Sequence, residues 1–310
     1  MNGEHRRAED ADVFLINTSD RDVGIRSLLK QLDLSDYRGK TVALKANFNS
    51  ADPFPASTHI HTLEAIIGRL KEAGTVDVTL AERSGMGRTR EVLEKLGVVN
   101  LSEKLGVKVV VLDELRIGGW TKVDAGGTHW LDGFYIPKLF LNAEKVVQTC
   151  CLKTHRFGGH FTMSLKNSIG LVARQVSGVV YDYMAELHSS PNQRLMIAEV
   201  NNFYKTDLVI MDAVKAFVRE GPERGEVVEP NLLLAGRDRV AIDAVGIAIL
   251  RCFGSTKEVM EQRIFELEQI RRAAELGVGV KSPTDIRLVS LDEKSTKIVA
   301  DIEKTLKKDG

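Results

Sequence analysis

From residue 41 the chain alternates short, β-branched apolar runs with amphipathic ones. The run opening at Thr41, Thr-Val-Ala-Leu, is too short and too β-branched for a helix and reads as a strand over 41–46. A proline-bearing loop at 52–55 follows. Leu63, Ile66, Ile67 and Leu70 then recur at helical spacing, behind Ser57 or Thr58 as N-cap and ahead of Gly74 as terminator. Strands over 76–81 and 107–112 flank a helix over 88–96 that Gly97 stops. Such alternation predicts an α/β fold with a mostly parallel sheet and flanking helices.

Residues 117–137 break the rhythm. Their Gly-Gly pairs and scattered Trp120, Trp130 and Tyr135 predict an excursion or hairpin joining two lobes, with a boundary near 140 and a cleft between them. Beyond it the pattern predicts strands over 145–150, 207–211, 231–235 and 285–291. A Gly-rich polar segment runs to about 178, and helices are expected over 193–204, from a cap at Asp238 to Cys252, and over 256–276. The reading divides the chain into an N-terminal extension with the first elements (1–37), an α/β domain (38–291) and a Lys-rich C-terminal helix (292–310).

Composition narrows the function. Lys plus Arg and Asp plus Glu both number 43, so the chain lacks the broad basic excess that coating nucleic acid or an anionic membrane requires. Arg6 and Arg7 are followed by acids rather than an apolar run, so a cytoplasmic protein without an export signal is expected. No run approaches the ~18 apolar residues of a membrane span. Three cysteines, two of them the adjacent Cys150 and Cys151, make no disulfide framework and fall short of the usual ~4 thiolates of an iron-sulfur cluster. No self-ligated all-cysteine cluster is therefore expected. The Gly85-Met86-Gly87 stretch lacks a third glycine and no Gly-Lys-Ser or Gly-Lys-Thr occurs, which disfavours dinucleotide and P-loop sites.

Ligands of parallel α/β sheets bind outside the carboxyl ends of the strands. Those ends carry Lys45 and Asn47, Glu82 and Ser84, Lys153 and His155, Asp212, and Arg237 with Asp238. A longer anomaly surrounds one of them: residues 145–181 contain no Asp or Glu, yet hold Lys145, Lys153, Arg156, Lys166 and Arg174 with His155 and His160. This composition predicts an anion site for a carboxylate or phosphate, with Gly158-Gly159 allowing close backbone approach and a helix N-terminus near Thr162. Lys45, Lys153 and Lys166 would neutralise the anion, Asn47, Thr154 and Asn167 would orient it, and His155 would serve as general acid or base. Asp212 or Asp243 would orient a cation or metal. A metal on His155 and His160, or on His59 and His61, is the alternative chemistry, with Asp212 the candidate third ligand. Cys150 and Cys151 read as packing at a strand end, and Asp238 as a helix cap.

Several segments, taken in order, resemble the family called domain of unknown function 362. They are Val-Ala-Leu-Lys-Ala-Asn at 42–47, Leu-Lys-Thr-His at 152–155, Thr162 with Ser-Leu-Lys-Asn-Ser-Ile-Gly at 164–170, Gly-Pro-Glu-Arg-Gly at 221–225, and Asp238 through Asp243. The resemblance implies an α/β fold, joined in many relatives to a ferredoxin-like iron-sulfur module, and hence a second reading in which 145–181 docks an iron-sulfur protein partner. A weaker likeness, to the nickel-dependent lactate racemase family, rests on His155, Gly158, Gly159, Lys166 and Gly170 in that order. It points to the same segment.

Overall fold

The computed structural model describes residues 11–308. Its strands are β1 (Ala11–Asn17), β2 (Thr41–Lys45), β3 (Asp77–Glu82), β4 (Lys108–Val111), β5 (Trp120–Val123), β6 (Phe134–Pro137), β7 (Lys145–His155), β8 (His160–Phe161), β9 (Leu208–Arg219), β10 (Glu226–Val228), β11 (Leu232–Gly236) and β12 (Ile286–Ser290). All but β5 and β6 share one ten-stranded sheet, along which the order is β12-β1-β11-β9-β7-β2-β3-β4, with β10 on β9 and β8 on β7. From β9 to β4 every neighbouring pair along this order is parallel, while β11 runs antiparallel to both β1 and β9. The fold is the expected α/β sheet flanked by helices.

Alternation along the strands feeds two apolar layers. Val13, Leu15, Val209 and Met211 face the helices Arg239–Cys252, Glu268–Glu275 and Glu293–Lys308. Ile16, Leu44, Leu208 and Ile210 face the helices Arg21–Gln31 and Ile60–Glu72. In the latter helix Leu63, Ile66, Ile67 and Leu70 are all buried, as their spacing requires. Its N-cap is His59 rather than Ser57 or Thr58, because those hydroxyls are engaged elsewhere: Ser57 donates to the Ser50 carbonyl and Thr58 accepts from the Asn47 amide.

Three further departures have physical causes. Of the span read as an extension with the first elements, residues 11–17 form β1 inside the sheet between β12 and β11, and residues 1–10, with Arg6 and Arg7, lie outside the described range. The boundary expected near 140 does not interrupt the sheet, since β7 pairs with β2 on one side and β9 on the other. The excursion before it is a β5–β6 hairpin whose Phe134 and Ile136 pack with Trp130, Tyr183 and Met196 beside the main sheet. The helix expected over 256–276 is two, Lys257–Glu261 and Glu268–Glu275. Among the described residues no helix is long and apolar enough to cross a membrane.

Candidate functional site

Strands β2, β3 and β4 step outward in order toward one edge, and β7 then returns to the opposite side of β2. The winding therefore reverses between β2 and β7, and the loops leaving their carboxyl ends diverge. A crevice forms at such a switch point. Here it is a pocket lined by Lys45, Glu82, Lys153, His155, Lys166 and Asn167 among others.

Its floor is a continuous polar network. The Lys45 ammonium lies 2.8 and 2.9 Å from the two carboxylate oxygens of Glu82, and also donates to the Ala46 carbonyl at 2.6 Å and Asn167 Oδ1 at 3.2 Å. Asn167 Nδ2 donates to the Thr149 carbonyl at 3.0 Å, which fixes the amide so that its oxygen faces the cation. The same oxygen is 3.4 Å from Asn47 Nδ2, and Asn47 Oδ1 accepts from Lys153 at 2.7 Å. Lys153 also donates to the Ala56 carbonyl. Lys45, Glu82 and Lys153 are all buried. Burial pushes the Glu82 carboxyl up to about 6 against the pull of Lys45, and pushes both amines down.

Lys166 differs from both. It is only partly buried, and it has no hydrogen-bond or ion-pair partner among the described residues. Desolvation, then the positive charges of Lys153 and Arg83, bring its amine down to about 7. His155 is 7 % exposed and its buried Nδ1 lacks a partner. Burial, then the Lys166 and Lys153 charges, hold its imidazole well below its usual range, so it is neutral near pH 7. Gly159 lets the backbone approach these two groups closely, since a Cβ there would stand 2.8 Å from His155 Nδ1 and 2.9 Å from Lys166 Cε. Gly170 does the same for Lys45, whose Nζ would lie 2.9 Å from an added Cβ.

Other cations of the acid-free segment are answered from outside it. Lys145 pairs with Asp36, Arg156 with Glu223 and Arg174 with Asp182. The four-residue helix Ser164–Asn167 near Thr162 does not offer its first amides to a ligand, because Asp243 accepts from Ser164 N at 2.8 Å and Leu165 N at 2.9 Å. Asp243 thus anchors the start of the short helix that carries Lys166 and Asn167. Thr162 lines the pocket. Thr154, whose side chain alternates to the other side of β7, accepts from Gly221 N and donates to the Phe217 carbonyl. Asp212 is tied to Arg21 at 2.8 Å and Thr62 at 2.5 Å, away from the pocket lining.

The metal candidates do not converge. His155 and His160 are opposed in the β7–β8 ladder, but the charges around His155 are Lys166, Lys153 and Arg156 and those around His160 are Arg194, Glu258 and Glu268. His59 caps its helix by accepting from the His61 amide. Among the described residues no group of three or more His, Cys, Asp or Glu could hold a metal. Cys150 and Cys151 are buried, and desolvation raises both thiols, Cys151 to about 12, which removes thiolate chemistry near neutral pH.

Sequence reasoning noted Glu82 as a polar strand end without assigning it to the site, and it missed Arg83, Asn49 and Pro222. Arg83 holds the turn after Lys166, donating to the Val172 carbonyl at 2.8 Å and the Ile169 carbonyl at 2.6 Å. Its place directly after a polar strand end was the available signal.

Fold and pocket together define an open α/β protein with a cation-rich site at the switch point of its sheet. The chain belongs to the family described as Domain of unknown function (DUF362), which matches residues 42–248 and so includes every residue lining the pocket. A thylakoid-associated protein from Synechocystis sp. is 27% identical over 203 residues, covering 66% of this chain and 60% of that protein. The chain thus spans less than two thirds of that relative's length. Among solved structures, the lactate racemase apoprotein from Thermoanaerobacterium thermosaccharolyticum aligns with a TM-score of 0.46 and 16% identity over 72% of this chain and 54% of that one. A protein from Thermotoga maritima aligns at 0.42 and 14%, over 70% and 54%.

Proposed function

We propose that the chain binds an anionic small molecule, a carboxylate or a phosphate, in the switch-point pocket and exchanges a proton with it through Lys166 and His155. One observation carries this reading: the lining sets a single carboxylate, Glu82, against Lys45, Arg83, Lys153 and Lys166, and Lys166 alone among these has no partner. An anion at Lys166 would supply the missing counter-charge beside a partly desolvated cation, where Coulomb attraction is stronger than in bulk water. Lys45 is already neutralised by Glu82 and acts by holding Asn167, so the expected three-lysine clamp reduces to Lys166 assisted by Lys153. An amine titrating near 7 beside a neutral imidazole is suited to general acid-base work at cellular pH.

The iron-sulfur docking reading draws less support, since Arg156 and Arg174 are each paired with an acid of the same chain. Titration calorimetry with short carboxylates and inorganic phosphate tests the preferred reading. Lys166→Ala should weaken binding at least ~10-fold, one lost charge-assisted contact, with stability unchanged or raised. Equal loss of binding and stability would overturn it.

A further inference from the structure

The inner pocket adjoins a second, larger cleft, with Asn49, Arg83, His155, Lys166, Ile169 and Pro222 lining both. The inner part has room for about 50 Å³, enough for a carboxylate- or phosphate-sized group and no more. The outer part has about 400 Å³. Whatever places its charged end at Lys166 must therefore run its remaining atoms through the outer cleft.

That cleft is lined very differently. Apart from Lys166, which it shares with the inner pocket, its ionised groups are already paired or engaged: Arg174 with Asp182 at 3.2 Å, and Arg83 with two backbone carbonyls and with Met184 Sδ at 3.2 Å. His188 Nδ1 is held 2.7 Å from the Met184 carbonyl. The rest of the lining is mostly apolar, with Met86, Phe157, Ile169, Met184 and Pro222 beside the polar Asn49. Phe157 and Met86 are 47% and 42% exposed, an aromatic ring and a flexible thioether left in water at the mouth of a site. Lys166 is thus unpartnered where the two spaces meet, while the outer end leaves mostly apolar surface open.

We infer that the ligand is an amphipathic anion, with its carboxylate or phosphate at Lys166 and an alkyl or aryl body lying along Met86, Phe157 and Met184. This rests on the anion-binding reading above. Methionine and phenylalanine suit such a body, because an unbranched thioether adapts to its shape and a ring offers a large face at small entropic cost. Burial of the body displaces water from a mostly apolar surface.

Titration calorimetry of the full chain with straight-chain alkanoates from acetate to octanoate, the matching alkyl phosphates and the matching alkanols tests it. Affinity should rise about 3- to 4-fold per added methylene until the cleft is full, in the anionic series. Met86→Ala and Phe157→Ala, both at exposed positions, should each reduce that gain per methylene. A flat series in which short anions still bind overturns the amphipathic ligand and leaves the anion reading standing. Alkanols binding as well as the anions, with the same slope, support the apolar cleft and overturn the anion reading. Binding by none of the three series overturns both.

Discussion

Lys45 and Glu82 form a two-pronged ion pair, Nζ to both carboxylate oxygens at 2.8 and 2.9 Å, between residues that are 2% and 0% exposed at the ends of adjacent parallel strands. Taking both charges out of water costs several kcal/mol per ion, which mutual attraction and further hydrogen bonds must offset. The pair joins the end of β3 to Asn167 and through it to Asn47 and Lys153, so its first consequence is to fix the pocket floor.

Glu82→Gln would leave Lys45 as an uncompensated buried cation. Unfolding in urea should show a loss of about 3–5 kcal/mol, and adding Lys45→Met to the same chain should recover most of it. If the single and double variants are equally unstable, the pair is not what holds the floor together.

Asp243 supports the site from below by accepting two successive backbone amides. An Asn there offers one acceptor oxygen, so Asp243→Asn strands one buried amide at a cost of about 1–3 kcal/mol. It should also lower anion affinity, because the turn carrying Lys166 and Asn167 loses its anchor. Asp238→Asn is the control: Asp238 caps the helix Arg239–Cys252 and also accepts from Val280 N, so its loss should cost stability without touching affinity. The two variants behaving alike in ligand titrations would remove Asp243 from any positioning role.

Gly159 sets the free volume at the head of the pocket. Gly159→Ala places a methyl group against His155 Nδ1 and Lys166 Cε. Lys166 can swing away, but the buried His155 ring must also shift, so stability should fall by about 1–3 kcal/mol. Affinity for short anions should drop ~10-fold or more as the amine leaves its position. Unchanged affinity would mean that the ligand does not approach Lys166 from this side.

The fold was legible wherever periodicity was clean. Leu63, Ile66, Ile67 and Leu70 announce their helix, and Asp238 its cap, because these signals are local. The end of β7 was not legible. Lys153, Thr154 and His155 continue the strand beyond Cys150, but three polar residues imitate a loop when nothing in the sequence shows that Phe217 and Gly221 pair beside them. Strand β9 was cut short for the same reason, since its continuation to Arg219 depends on the extension of β7. At the site, the acid-free run pointed to the right segment but could not tell paired cations from unpaired ones. Arg156 finds Glu223, and Arg174 finds Asp182, only in the folded chain. Lys166 finds neither, a difference set by tertiary contacts alone.

That isolation fixes a pH dependence. The Lys166 amine titrates near 7 in the folded chain against 10.5 for the free side chain. Below pH 7 both folded and unfolded chains carry the proton, and the folded state bears the cost of a partly desolvated cation beside two others. Between 7 and 10.5 only the unfolded chain stays protonated, so this residue makes stability rise with pH, and above 10.5 its contribution is constant. Lys166→Met should accordingly be more stable than the parent by roughly 2 kcal/mol at pH 6, with the gap closing progressively above pH 7. An anion bound at Lys166 restores the amine toward its ordinary value, so binding at pH 8 should take up a proton and affinity should fall as pH rises further. Calorimetry at pH 8 in two buffers of different ionisation heat reads that proton directly. A parent and Lys166→Met that bind the same anion with the same proton uptake would place the ligand away from this amine and leave His155 to account for the exchange.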